Sequence, residues 1–134
     1  MLRRTLIALL FLIPLGFTGC GSGNPHLHGK VTFTDGTPLD KGSVCFLKEG
    51  YLARGQIKSD GSYEVGSLEE NDGLPPGTYQ VYIDGATVED TRSPTGTSPM
   101  LDADMTKPET SGLTVTVPVD NGTLDITVKK PKKK

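Results

Sequence analysis

From residue 29 to residue 128, apolar side chains recur at every second position in short runs, and Gly, Pro, Asn, Asp or Ser separates one run from the next. A period of two belongs to half-buried strands. No run has the 3.6-residue period of an amphipathic helix. Lys30-Val31-Thr32-Phe33-Thr34 sets Val31 and Phe33 on one side. Val44 and Phe46 share a face, with Cys45 and Leu47 opposite. Ala53, Gly55 and Ile57 alternate with Arg54, Gln56 and Lys58, and Tyr63 and Val65 continue that face beyond Ser59-Asp60-Gly61-Ser62, a tight hairpin signal. Tyr79, Val81 and Ile83 form a further inner face. Leu113, Val115 and Val117 alternate with threonines, and Leu124, Ile126 and Val128 follow. Between these last two segments, Asn121-Gly122 predicts a two-residue hairpin turn. The pattern predicts seven short strands and an all-β fold.

Leu74-Pro75-Pro76-Gly77-Thr78-Tyr79 is the most specific local signal. The prolines stop strand pairing and the glycine permits a bend. A tyrosine just inside such a corner suits a Greek-key sandwich, in which its hydroxyl bonds back to upstream backbone. Plain core burial of Tyr79 is the alternative. Between Ala86 and Ser111 the pattern lapses, and a loop of that length is either functional or disordered. It is the first place to look for binding.

With 134 residues the chain has room for one domain. Gly and Pro together stay below the share that marks low-complexity sequence. The start of the chain stands apart: Arg3 and Arg4 precede an apolar stretch from Leu6 to Leu15, and small residues follow. A basic n-region, a short h-region and a small residue at the cleavage point read as a secretory signal. An uncleaved anchor helix is the rival, and Pro14 and the shortness of the stretch argue against it.

Phe17-Thr18-Gly19-Cys20 at the end of this leader resembles a bacterial lipoprotein box, with Phe and Thr where Leu and Ala or Ser are commoner. The resemblance implies cleavage after residue 19, with fatty acyl chains of the palmitate kind carried on Cys20. Several such chains hold a protein to a membrane where a single one would not. An ordinary secreted protein with an incidental cysteine is the alternative. Gly21 in place of Asp is similar to lipoproteins sorted outward, although that rule varies between bacteria. The expected layout is a signal peptide over 1–19, a lipidated tether over 20–28, a sandwich over 29–128 and a basic tail over 129–134.

The formal charge of −2 hides an asymmetry. Residues 20–128 hold seven basic and sixteen acidic side chains, a net −9, and five lysines follow within 129–134. An acidic body argues against nucleic acid as a ligand, and the lysines are expected to form a solvated end. If Cys20 is acylated, Cys45 is left as a lone thiol. Among apolar neighbours and without an adjacent His or cation, it reads as a small buried hydrophobe rather than a nucleophile. His26 and His28 point the same way along an extended segment, but no third metal ligand accompanies them. Asp84, Glu89, Asp90, Asp102 and Asp104 lie in or beside the long loop without the spacing of a calcium loop, so surface acidity is expected. No Ser or Cys lies near a His in the body. No catalytic, cofactor or metal site is expected.

The turns and core residues together resemble a family. Gly29-Lys30-Val31 with Phe33, Asp35-Gly36-Thr37-Pro38-Leu39, Val44 and Phe46, Gly55, Ser59 to Tyr63, Leu74 to Tyr79 and Thr110 to Thr114 are similar to carboxypeptidase regulatory-like domains. That resemblance spans about 29–128 and is closest to small bacterial lipoproteins carrying this domain alone. It implies a seven-stranded, Greek-key, transthyretin-like (prealbumin-like) β-sandwich, and says nothing exact about activity. Hydroxyisourate hydrolases and intradiol dioxygenases use related sandwiches. The first need His and Arg residues with a C-terminal Tyr-Arg-Gly-Ser motif, the second two Tyr and two His around iron. This chain has no such C-terminal motif, and its only two histidines lie in the tether. The expectation is a lipid-anchored, non-enzymatic binding or structural module of the cell envelope. Its expected partners are a membrane and, beyond it, a protein or an envelope polysaccharide. A transthyretin-like enzyme and a ligand-free subunit of a surface assembly are the alternatives.

Overall fold

A computed structural model describes residues 23–66 and 72–133. The leader and Cys20 lie outside the described residues. Within them the chain is all-β. Strand β1 (His28–Phe33) is followed by the antiparallel pair β2 (Ser43–Lys48) and β3 (Tyr51–Gln56), then by β4 (Ser62–Glu64) and β5 (Gly77–Asp84). A ribbon of β6 (Thr87–Glu89) and β7 (Thr97–Pro99) comes next, then a 3₁₀ turn over Ala103–Thr106. Strand β8 (Leu113–Val117), a second 3₁₀ turn at Asp120–Gly122 and β9 (Ile126–Val128) complete the fold.

The strands form a three-stranded sheet in the order β4-β1-β9, a four-stranded sheet in the order β3-β2-β5-β8, and the two-stranded ribbon β6-β7. Among the described residues nine strands therefore stand where seven were expected, the additional pair lying within the loop that had no pattern. The core lies between the two larger sheets. Val31, Tyr63, Ile126 and Val128 from one meet Val44, Phe46, Tyr79, Val81, Ile83 and Val117 from the other. The rings of Phe46 and Tyr63 meet across the middle, 6.3 Å between centroids. The alternation identified these inner faces correctly, except that Leu113 and Leu124 are only half-buried.

The expected hairpin at Asn121-Gly122 does not form. Leu113–Val117 pairs antiparallel with β5, whereas Ile126–Val128 pairs parallel with β1. The two residues do adopt the left-handed backbone that the turn demands, φ 58° and 62°, and the Gly122 amide bonds the Val119 carbonyl. The turn carries the chain from one sheet to the other. Asp60-Gly61 behaves similarly: Lys58 bonds Ser62 across the reversal, but β3 pairs with β2 while β4 pairs with β1. One bridge, Arg54 to Gly66, links the two sheets on that side.

The body also begins earlier than residue 29. Leu27 is fully buried, its carbonyl accepts the Val65 amide, and the Pro25 carbonyl accepts the Leu74 amide. The last residues of the expected tether are therefore packed into the domain. Gly29 explains why β1 and the stretch before β9 approach so closely, because a Cβ there would overlap the Leu124 carbonyl.

Candidate functional site

The segment expected to be a loop folds back on the sandwich. After the ribbon, Leu101 and Met105 enter the core, and the 3₁₀ turn that carries Met105 packs against β5 of the four-stranded sheet. Asp102 caps this turn. Its Oδ1 accepts the Asp104 amide at 3.2 Å, and its own amide donates to the Lys129 carbonyl at 2.9 Å. That second bond ties the loop to the backbone just beyond β9. Asp102 is the only buried polar or charged residue among those described, 7% exposed.

A recess of about 110 Å³ opens here, lined by Asp102, Asp104, Met105, Thr110, Ser111 and the lysines Lys129 and Lys132. The Lys132 ammonium stands 3.6 Å from Asp102 Oδ2 and 3.8 Å from Asp104 Oδ2, between the two carboxylates. The hydroxyls of the recess are already engaged. Thr110 Oγ1 donates to the Asp104 carbonyl at 2.8 Å, while Ser111 Oγ donates to the Val81 carbonyl and accepts the Leu113 amide. With their protons committed to backbone, neither is set up as a nucleophile.

Lys130 turns to the other side of the same extended segment. Its ammonium lies 2.7 Å from Asp35 Oδ2 and 5.3 Å from the centre of the Phe33 ring. The hydrogen bond from Lys130, with two further bonds from Thr37 to Oδ1, holds the Asp35 carboxyl well below the usual carboxylate range. The lysines expected to be a solvated end are instead latched to the body at two points. Their acidic partners are remote in sequence, Asp35 and Lys130 being 95 residues apart, so no local pattern announces the latch.

The other candidates scatter. Asp90 sits at the tip of the ribbon, where the Ser98 hydroxyl and the Arg92 amide occupy its oxygens and lower its pKa. Asp84 ends β5 opposite Ser43, and Glu89 ends β6. Of the five acids near the loop, only Asp102 and Asp104 come together. Among the described residues, no three of His, Cys, Asp and Glu gather as metal ligands would. His28 meets the Thr123 hydroxyl at 3.2 Å, at the opposite end of β1 from Asp35. Cys45 is buried on the outer side of the four-stranded sheet, and burial raises its thiol pKa, as an inert thiol requires. Tyr51 packs edge-on against Tyr79 with 6.1 Å between ring centres. Tyr82 is half-buried on the outer sheet face.

No helix of the described residues is long and apolar enough to cross a membrane. Comparison with family models, curated proteins and solved structures finds no match to this chain.

Proposed function

We propose that this protein is a lipid-anchored component of the bacterial cell envelope, whose sandwich serves as a non-enzymatic binding or structural module. The observation that carries the reading is the Phe17-Thr18-Gly19-Cys20 box at the end of a basic and then apolar leader. Its spacing to the body fits an anchor. Leu27 is already core, so only the few residues after Cys20 separate the acyl chains from the packed domain, a reach of about 20 Å when extended. Such a module stands close to its membrane.

The fold reading is a transthyretin-like, Greek-key sandwich of the carboxypeptidase regulatory-like kind. Its support is the corner tyrosine: Tyr79 is buried and donates its hydroxyl to the Pro75 carbonyl at 2.7 Å. The hydrolase and dioxygenase chemistries of related sandwiches need histidines grouped with Arg or Tyr partners, and the two histidines of this chain both lie at its N-terminal side. Here His26 precedes β1 and His28 opens it, away from the recess, whose hydroxyls are tied to backbone.

The test is the full chain with Cys20→Ser, expressed in a bacterium and fractionated. The variant is expected in the soluble fraction and the parent in the membrane fraction, with the mass of the parent's N-terminal peptide raised by the acyl chains. A Cys20→Ser protein that stays with the membrane overturns the proposal.

A further inference from the structure

We propose that the lysine segment 129–133 is a docking element for an acidic polysaccharide, carried at the pole of the domain opposite the lipid anchor and latched to the body by Asp35, Asp102 and Asp104. The orientation rests on the lipid-anchor reading above; the binding chemistry does not.

Polarity comes from the strand pairing. Because β9 runs parallel to β1, with Val31 beside Ile126 and Phe33 beside Val128, the chain leaves the sheet at the end where β1 finishes. The tether joins where β1 begins. Six residues of strand lie between, roughly 20 Å. Lys129 and Lys130 therefore emerge beside Asp35, on the side away from the anchoring bilayer. A basic segment aimed at that bilayer's own headgroups would leave from the tether pole.

Charge supplies the partner's class. The body's net −9 disfavours a polyanion on the rest of the surface, and the segment concentrates positive charge in one extended strip. Pro131 lacks an amide hydrogen and has a fixed φ, which disfavours a helix and keeps the lysines spread along the chain. Repeated carboxylates on a linear glycan match such a strip better than a single compact anion does. Lys129 and Lys133 are exposed and make no ion pair among the described residues. Lys130 pairs with the exposed Asp35, and Lys132, itself 81% accessible, pairs with the exposed Asp104 as well as with the buried Asp102, so the Asp35 and Asp104 pairs lie at the surface. Pairs of this kind are weak and screened by salt, so a polymer of closely spaced anions can displace the latch.

The probe is polygalacturonate, with neutral dextran and vesicles of anionic phospholipid as comparisons. The protein is the unlipidated chain from Gly21, which holds every core residue described. It is expected to bind polygalacturonate at low salt, not to bind dextran, and to bind vesicles more weakly than the polymer. Lys130→Gln, Lys132→Gln and Lys133→Gln together should weaken polymer binding by about ten-fold or more, at several-fold per lysine. Asp35→Asn with Asp104→Asn should strengthen it by about two- to five-fold, because Lys130 is released and Lys132 loses one of its two carboxylates. Asn at 35 keeps the oxygen that Thr37 bonds, so this variant retains its turn. Unchanged binding in the lysine variant, unchanged binding in the aspartate variant, or a preference for the vesicles would each overturn the proposal. Failure here leaves the anchor intact, and an unmodified Cys20 would leave the polymer binding intact.

Discussion

Two tyrosine hydroxyls do in the interior what strand pairing does along the sheets. Tyr79 donates to the Pro75 carbonyl at 2.7 Å, four residues upstream, and so holds the Pro75-Pro76-Gly77 bend against the start of its own strand. Tyr63 donates to the Leu124 carbonyl at 2.5 Å, joining β4 to the approach of β9 across 61 residues of chain. Tyr79→Phe keeps the ring and removes one bond, which costs about 1 kcal/mol. The midpoint of urea unfolding should fall accordingly with an unchanged slope. A midpoint equal to the parent's would mean that the corner is held by packing alone. The role of Tyr79 was legible in the sequence because donor, bend and acceptor all lie within six residues. That of Tyr63 was not, because its acceptor is supplied by a distant segment. Its partner glycine is similarly opaque: Gly29 is required only because the Leu124 backbone passes over it.

Among the strands, alternation indicates which side is wet but not which edge is paired. Leu113–Val117 and Ile126–Val128 carry the same pattern around a favourable Asn-Gly turn, and they join different sheets. Eight residues, 118 to 125, separate them, too long a connection for the two-residue turn to set the register. Local backbone preference is satisfied at the turn and the pairing is decided elsewhere: β5 takes one segment and the free edge of β1 takes the other. The ribbon shows the reverse limit. Its strands are three exposed or half-exposed residues each, so no hydrophobic alternation announces them. What holds it is a polar tip, with Asp90 accepting from the Arg92 amide and the Ser98 hydroxyl. Replacing Glu89–Thr97 by Asn-Gly would keep Val88 opposite Ser98. Since it removes no core residue, the thermal midpoint should stay within about 5 °C of the parent's. A much larger drop would show that the ribbon supports the sandwich.

On the scale of the whole molecule, buried phenols link folding to alkaline pH. Burial pushes the Tyr63 hydroxyl far above its ordinary value, and burial likewise raises Tyr79 and Tyr82. Each neutral phenol contributes stability that is fully present below the ordinary tyrosine pKa of about 10 and is lost as pH rises towards the folded value. The phenolate absorbance of Tyr63, read as the difference between the parent and Tyr63→Phe, should therefore appear only with the loss of β-sheet circular dichroism. A graded rise near pH 10 with the sheet intact would contradict the burial. The same scale separates the two kinds of knowledge about this chain. Its sequence alone determined that the body is all-β, which faces turn inward, that Tyr79 marks a corner, and that a lipoprotein-like box precedes the domain, because periodicity, turn chemistry and short motifs act between near neighbours. Only the tertiary structure decided the partner of each strand, the parallel pairing that sends the lysines to the far pole, and the meeting of Asp35, Asp102 and Asp104 with those lysines. Those outcomes depend on contacts between segments tens of residues apart, where many pairings satisfy the same local pattern and the packing of the shared core selects one.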